Sequence, residues 1–194
     1  MKFKSVPMLA LASGLALATT ACGKTDSADA GPTATDTTAA TDTGAPAGTG
    51  TTAANDHAAQ FLTDVIQTNN AEISFGQAAQ AMGSARGVKD FGKMLVADHT
   101  KANDQAKQLA MALNVPVPDG TTPQADSELK MATGMSGAAF DKDFLADMVK
   151  GHQQAIDKFQ QEAGSSDPAQ VTDFAQQTLP TLKKHLATAQ SLQK

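Results

Sequence analysis

From Asp56 to the C-terminus, apolar side chains recur every three or four residues with no strand-like alternation, and this period restricts the chain to packed helices. Phe61, Leu62, Val65, Ile66 and Phe75 mark a first helix from about Asp56 to Met82, stopped by Gly83-Ser84. A second, from about Ala85 to Asn114, carries Val88, Phe91, Leu95 and Leu109 and ends at VPVP, where two prolines forbid further helix. A short helix is predicted over Pro123 to Thr133, with Thr122 as N-cap and Pro123 at its first position. A third long helix runs from about Ala138 to Ala163. A fourth reaches the C-terminus from DPAQ, with Asp167 as the expected cap, Gln170 placed for a capping box, and a kink predicted at Pro180.

Four long amphipathic helices with short first and last connections define an all-α four-helix bundle domain over residues 56–194. The longer middle connection, holding the short helix, suits a ferritin-like crossover along the bundle; simple up-down order stays open at this stage.

The first 55 residues do not share this pattern. Lys2 and Lys4 precede an apolar run, Met8 to Ala21, which is shorter than the roughly 20 residues that span a bilayer. Residues 1–21 therefore read as a signal peptide. The single cysteine of the chain, Cys22, follows Ala21 where lipoprotein processing attaches lipid, so lipidation and a membrane anchor are expected, with plain secretion as the alternative. Either way the protein is expected to be exported, to the periplasm or the outer membrane. Residues 22–55 are rich in Thr, Ala, Gly, Asp and Pro and contain no larger aliphatic side chain. They read as a disordered tether reaching roughly 30 Å as a random coil. The net charge of −5, without Trp or Tyr, offers neither a basic face nor a stacking platform for nucleic acid.

The chemistry lies on the inward stripes. Val88, Gly92, Leu95, His99, Ala102, Ala106 and Leu109 form the seam of the second helix, so His99 stands where an apolar residue is due. Glu72 shares a stripe with Phe61, Val65 and Ala79; His152 with Phe144, Met148 and Phe159; His185 with Phe174, Leu182 and Leu192. Each long helix thus turns one metal-competent side chain inward, near mid-helix. At about 1.5 Å per residue, all can share one level within roughly 10 Å. Buried without partners they would cost several kcal/mol each, and a shared cation would satisfy them together.

Glu72, His99, His152 and His185 are accordingly candidate ligands for one zinc or copper ion, with Asp98 as a fifth ligand or as the acceptor that orients an imidazole. A metal-free Glu–His hydrogen-bond network is the competing reading. Met94 and Met148 read as core filler rather than soft ligands, His57 as a capping or exposed residue, and Lys183-Lys184 as a solvated face.

The segments FLTDVIQTNNAEISFGQAAQ, VKDFGKMLVADHTKANDQAKQLA, FDKDFLADMVKGHQQAIDKFQQEA and LPTLKKHLATAQ resemble the bacterial family called domain of unknown function 4142. The resemblance covers about Asp56 to Leu192 and is clearest at Asp98-His99, Phe140-Asp141, His152 and Leu179-Pro180 with His185. It implies a ferritin-like bundle in a secreted or envelope protein and no established activity. Ferritin-like di-iron sites use Glu-x-x-His on two helices; here Val96 and Leu182 stand three residues before His99 and His185, so a two-iron site is not expected.

Three functions follow. The first is a metal-binding, non-catalytic envelope protein. The second is an enzyme with a metal-bound water and Glu72 or Asp98 as general base. The third is an interaction or stress-protective lipoprotein whose surface carries the role.

Overall fold

The computed structural model describes residues 49–194, with side chains from residue 55. The expected signal peptide, Cys22 and most of the expected tether lie outside the described residues. The helices are α1 (Thr49–Met82), α2 (Arg86–Ala112), α3 (Pro123–Thr133), α4 (Gly137–Ala163) and α5 (Ala169–Leu192). No strand occurs among the described residues, and the fold is an all-α four-helix bundle with α3 as an extra short helix.

Local sequence accounts for most boundaries. α3 has the predicted start: the Thr122 hydroxyl accepts from the Ala125 N–H at 3.2 Å, and Pro123 occupies the first turn. After α2, Asn114 takes a left-handed backbone (φ 56°), a conformation asparagine tolerates, and the chain leaves the helix before the prolines. α1 begins at Thr49 rather than near Asp56, because a helix already nucleated propagates at little cost into residues that oppose it only weakly. α5 runs unbroken through Pro180, which lies on the exposed face. The expected Asp167 cap is not made: Pro168 occupies the N-cap position without a side-chain hydrogen bond, and the Asp167 carboxylate is turned to His57 instead.

Around the bundle, α1 packs on α2, α2 on α5, α5 on α4, and α4 on α1. Two polar contacts give direction. At one end, the α1–α2 turn meets the start of α4: Asp141 accepts from the N–H and hydroxyl of Ser84 and from the N–H of Ala85. At the other end, His57 of α1 meets Glu162 and Asp167, where α4 gives way to α5. α2 and α4 therefore start at the same end, and the connection between them traverses the bundle lengthwise. α3 lies against α1 and α4, and the Asn70 side chain pins the crossover by donating to the Gly120 carbonyl at 2.9 Å. The arrangement is compatible with a ferritin-like bundle.

Ala85, the N-cap of α2, has no side-chain cap of its own. Asp141 supplies that function from 56 residues away, placing negative charge at the helix N-terminus and satisfying backbone donors there. Burial pushes the Asp141 carboxyl up, but the hydrogen bonds from Ser84 and Ala85 outweigh it and hold it below its ordinary value. Close packing of α1 and α2 depends on glycine: a Cβ on Gly92 would lie 2.6 Å from the Gly76 carbonyl oxygen, and one on Gly76 2.7 Å from that of Gly92.

The core is divided. Phe61, Leu62, Ile66, Ile156, Phe159 and Phe174 anchor one apolar cluster toward the α4–α5 turn. Phe75, Phe91, Leu95, Phe140, Phe144 and Met148 anchor another toward the α1–α2 turn. Between them lies a buried layer of Asn69, Glu72, His99, Asn103, His152 and His185. Each large apolar side chain contributes about 1.5–3 kcal/mol on burial, whereas an unsatisfied buried polar group costs about 1–3 kcal/mol. The two halves can carry this layer, but the layer itself adds nothing to stability that leucines would not.

A candidate metal centre of three histidines

His99 comes from α2, His152 from α4 and His185 from α5, and one ring nitrogen from each lies within 4.8 Å of the others. All three are buried, at 5%, 1% and 0% exposure. Proton positions follow from the outward-facing nitrogens. His152 Nδ1 stands 3.0 Å from the Met148 carbonyl oxygen, which only accepts, so Nδ1 carries the proton. His185 Nε2 stands 2.9 Å from Asp98 Oδ2, another acceptor, so Nε2 carries it there. His99 Nδ1 donates in the same way to Asn69 Oδ1 at 2.8 Å.

The inward nitrogens, His99 Nε2, His152 Nε2 and His185 Nδ1, are then all lone pairs. His152 Nε2 and His185 Nδ1 face each other at 3.2 Å, a hydrogen-bond distance with no proton left to make the bond. His99 Nε2 is buried without a partner.

A proton could relieve this only if an imidazole ionised, and the surroundings oppose it. Burial, reinforced by the charge of His185, lowers His152 to about 4. Burial and the two other histidines hold His99 well below its ordinary value. Burial also lowers His185, against the pull of Asp98. Near neutral pH the centre is three neutral imidazoles with converging lone pairs, the protonation state that metal binding requires. Tetrahedral zinc with Zn–N bonds of about 2.0–2.1 Å separates its nitrogens by about 3.3 Å, close to the spacing found between His152 and His185.

The other residues picked out in the sequence take different places. Asp98 supports His185 from behind, as an orienting acceptor, and is not among the converging ligand atoms. Glu72 is buried and level with the histidines, but its Oε1 lies 4.0 Å from the outward Nδ1 of His152, and it too stands outside the converging set. Burial, with the negative charge of Asp147, pushes its carboxyl up to about 8, so it is neutral at pH 7. Its Oε2 has no partner. Met148 packs its side chain in the core and contributes only its carbonyl; Met94 packs there partly buried, and Lys183 and Lys184 are exposed.

Sequence reading missed two members of this layer. Asn69 lies four residues after Val65 and three before Glu72, so the stripe pointed to it, but asparagine did not suggest an imidazole partner. Asn103, four after His99, replaces Ala102 as the buried position and donates to Asn70 Oδ1 at 2.8 Å.

A cavity of about 290 Å³ opens onto the centre. Asn69, Glu72 and the three histidines are among its lining residues, with Thr178, Thr181 and Lys158. Glu72 also borders a second cavity of about 220 Å³, together with Thr122, Glu128 and Asp147. One neutral acid therefore lines both spaces. Three nitrogens and one neutral carboxyl do not fit a two-iron centre, which needs several ionised carboxylates.

An all-helical bundle with a histidine cluster in its polar middle layer is the class that the fold and site define. The chain matches the family model described as Domain of unknown function (DUF4142) over residues 43–192 and belongs to that family. Comparison with curated proteins and with solved structures returns no match.

Proposed function

We propose that the protein binds one first-row transition-metal ion, zinc or copper, through His99 Nε2, His152 Nε2 and His185 Nδ1. The observation that carries this reading is the set of bare inward nitrogens, each produced by an outer N–H already committed to an acceptor. Outer partners of this kind are what metal-bound histidines use to fix tautomer and ring direction. A metal-free network is disfavoured because the 3.2 Å pair lacks a proton. Glu72 lies close enough to respond to a bound cation by losing its proton, without being one of the nitrogen ligands.

Export and lipid attachment at Cys22 are part of the same proposal, supported by Lys2, Lys4, the apolar run and the position of the single cysteine. Such a protein would hold its metal-binding domain on a tether from an envelope membrane.

The cavity favours a second reading. With three protein nitrogens as ligands, a bound ion would leave a fourth position to water or a small ligand, as in zinc enzymes and unlike closed structural sites, and the 290 Å³ space that these histidines line would admit one. In an enzyme, Glu72 would serve as the proton donor or acceptor at the cavity wall.

The test is elemental analysis and calorimetric zinc and copper titration of untagged protein, beside His152→Ala and His185→Ala. One ion fewer per chain in each variant than in the parent is expected. Absence of stoichiometric metal, with no thermal stabilisation by added zinc or copper, would sink both metal readings. Exchange of an anion such as azide at the bound metal would favour the open, reactive site over simple storage.

A further inference from the structure

A second group of side chains converges at the far end of the bundle. His57 comes from the early part of α1, Glu162 from the last turns of α4, and Asp167 from the α4–α5 connection. One ligand atom from each lies within 4.8 Å of the others. His57 Nδ1 is 2.8 Å from Asp167 Oδ2 and 3.4 Å from Glu162 Oε2.

Glu162 is the informative residue. Only 1% exposed, it keeps Oε2 without a hydrogen-bond partner, while Oε1 has just a long contact, 3.4 Å, with the Ser165 hydroxyl. Asp167 is also buried and has given up capping α5 to face the same point. Two buried carboxyls side by side cannot both ionise unless something positive lies between them. His57, with 61% of its side chain exposed, is an incomplete answer: its ring reaches both acids through one nitrogen. Lys158, the nearby cation, is already committed to Asp64.

We propose that His57, Glu162 and Asp167 form a second cation site for a divalent first-row metal such as zinc or manganese. One imidazole nitrogen and two carboxylates are a donor set for ions of that class. A cavity of about 130 Å³ beside His57 and Glu162 leaves room for water to complete the coordination shell. The ion replaces the proton that the two acids would otherwise share. It fastens the early turns of α1 to the α4–α5 turn, about 15 Å from the histidine centre by the rise between His152 and Glu162. The site shares no ligand with that centre and stands or falls independently of it.

The experiment uses untagged, chelator-stripped protein with isotope-labelled histidine, titrated with zinc and, in parallel, with manganese. The His57 resonance is assigned by its disappearance in His57→Ala. Zinc is expected to shift that resonance and manganese to broaden it, and both effects should vanish in Glu162→Gln. Metal stoichiometry should be one ion lower in His57→Ala and in Glu162→Gln than in the parent chain. His57 is exposed, so its alanine variant keeps the test valid if Glu162→Gln does not fold. Should the histidine centre bind nothing, the His57 signal would still respond and the parent would still lose its ion on His57→Ala. A His57 resonance indifferent to both metals, with equal stoichiometry in parent and variants, would overturn the proposal and leave the acids sharing a proton alone.

Discussion

Asp98→Ala tests the link between tautomer and metal affinity. In the parent, Asp98 Oδ2 accepts from His185 Nε2 at 2.9 Å, which puts the imidazole proton on the outer nitrogen and leaves Nδ1 bare toward the centre. Without the carboxylate, the ring is free to rotate or to place its proton on Nδ1, where it hydrogen-bonds His152 Nε2 across the 3.2 Å gap and blocks a ligand position. Loss of such an orienting partner lowers metal affinity by about 10–100-fold. The side chain of Asp98 is 36% exposed, so water can partly take over its role, and the expected loss is near the lower limit. Tenfold corresponds to about 1.4 kcal/mol. Asp98→Asn keeps an oxygen acceptor and should lie between parent and alanine variant. The assay is competition for zinc against a chromophoric chelator at fixed pH, with His185→Ala as the reference for outright loss of a ligand. An Asp98→Ala affinity equal to that of the parent, while His185→Ala binds one ion fewer, would refute the claim that Asp98 sets the tautomer. Parent-like binding by both would remove His185 from the site.

Three further outcomes follow from the packing and the titrations. Asp141→Ala strips the α2 N-terminus of its acceptor for two backbone N–H groups and the Ser84 hydroxyl, and should cost about 2–4 kcal/mol in urea melts; a loss below about 0.5 kcal/mol would show the cap to be dispensable. Gly92→Ala forces a Cβ against the Gly76 carbonyl and should destabilise by about 1–3 kcal/mol, with an unchanged melt as the contrary result. In the metal-free protein, Glu72 is raised from 4.5 to about 8, so its contribution is full below pH 4.5 and is lost as pH rises toward 8. His152, lowered from 6.5 to about 4, works oppositely, adding stability as pH rises from 4 to 6.5. Between pH 4.5 and 6.5 these two oppose each other; from pH 6.5 to 8 Glu72 by itself should cost about 2 kcal/mol, and Glu162, raised from 4.5 to about 7, adds to the decline up to about pH 7. Melts across this range should show that decline in the parent and a much weaker one in Glu72→Gln; equal declines would mean that Glu72 is ionised throughout.

Much of the bundle was legible in the chain because helix period, capping and proline stops act within a few residues. Pro123 and Thr122 start α3, Gly83-Ser84 and the VPVP segment end α1 and α2, and His99, His152 and His185 occupy stripes that can only face inward. Stripe membership does not carry the direction of a side chain's far end. Glu72 and Asp98 were as eligible as the histidines, yet Glu72 lies behind His152 and Asp98 behind His185, because each carboxyl settles where neighbouring helices leave it space and a partner. Asp167 shows the same limit: the local motif DPAQ favoured a cap, and a histidine 110 residues away took the carboxylate.

The sequence by itself determined the helices, their inward faces and the presence of three histidines among those faces, since all of these follow from spacing along one chain. Only the tertiary structure decided that the crossover runs lengthwise, that Asp141 caps a helix far away in sequence, and that His57, Glu162 and Asp167 meet. It also decided which nitrogen of each imidazole is bare. That choice depends on acceptors that only packing brings to the opposite side of each ring, and a metal reads the nitrogen rather than the residue name.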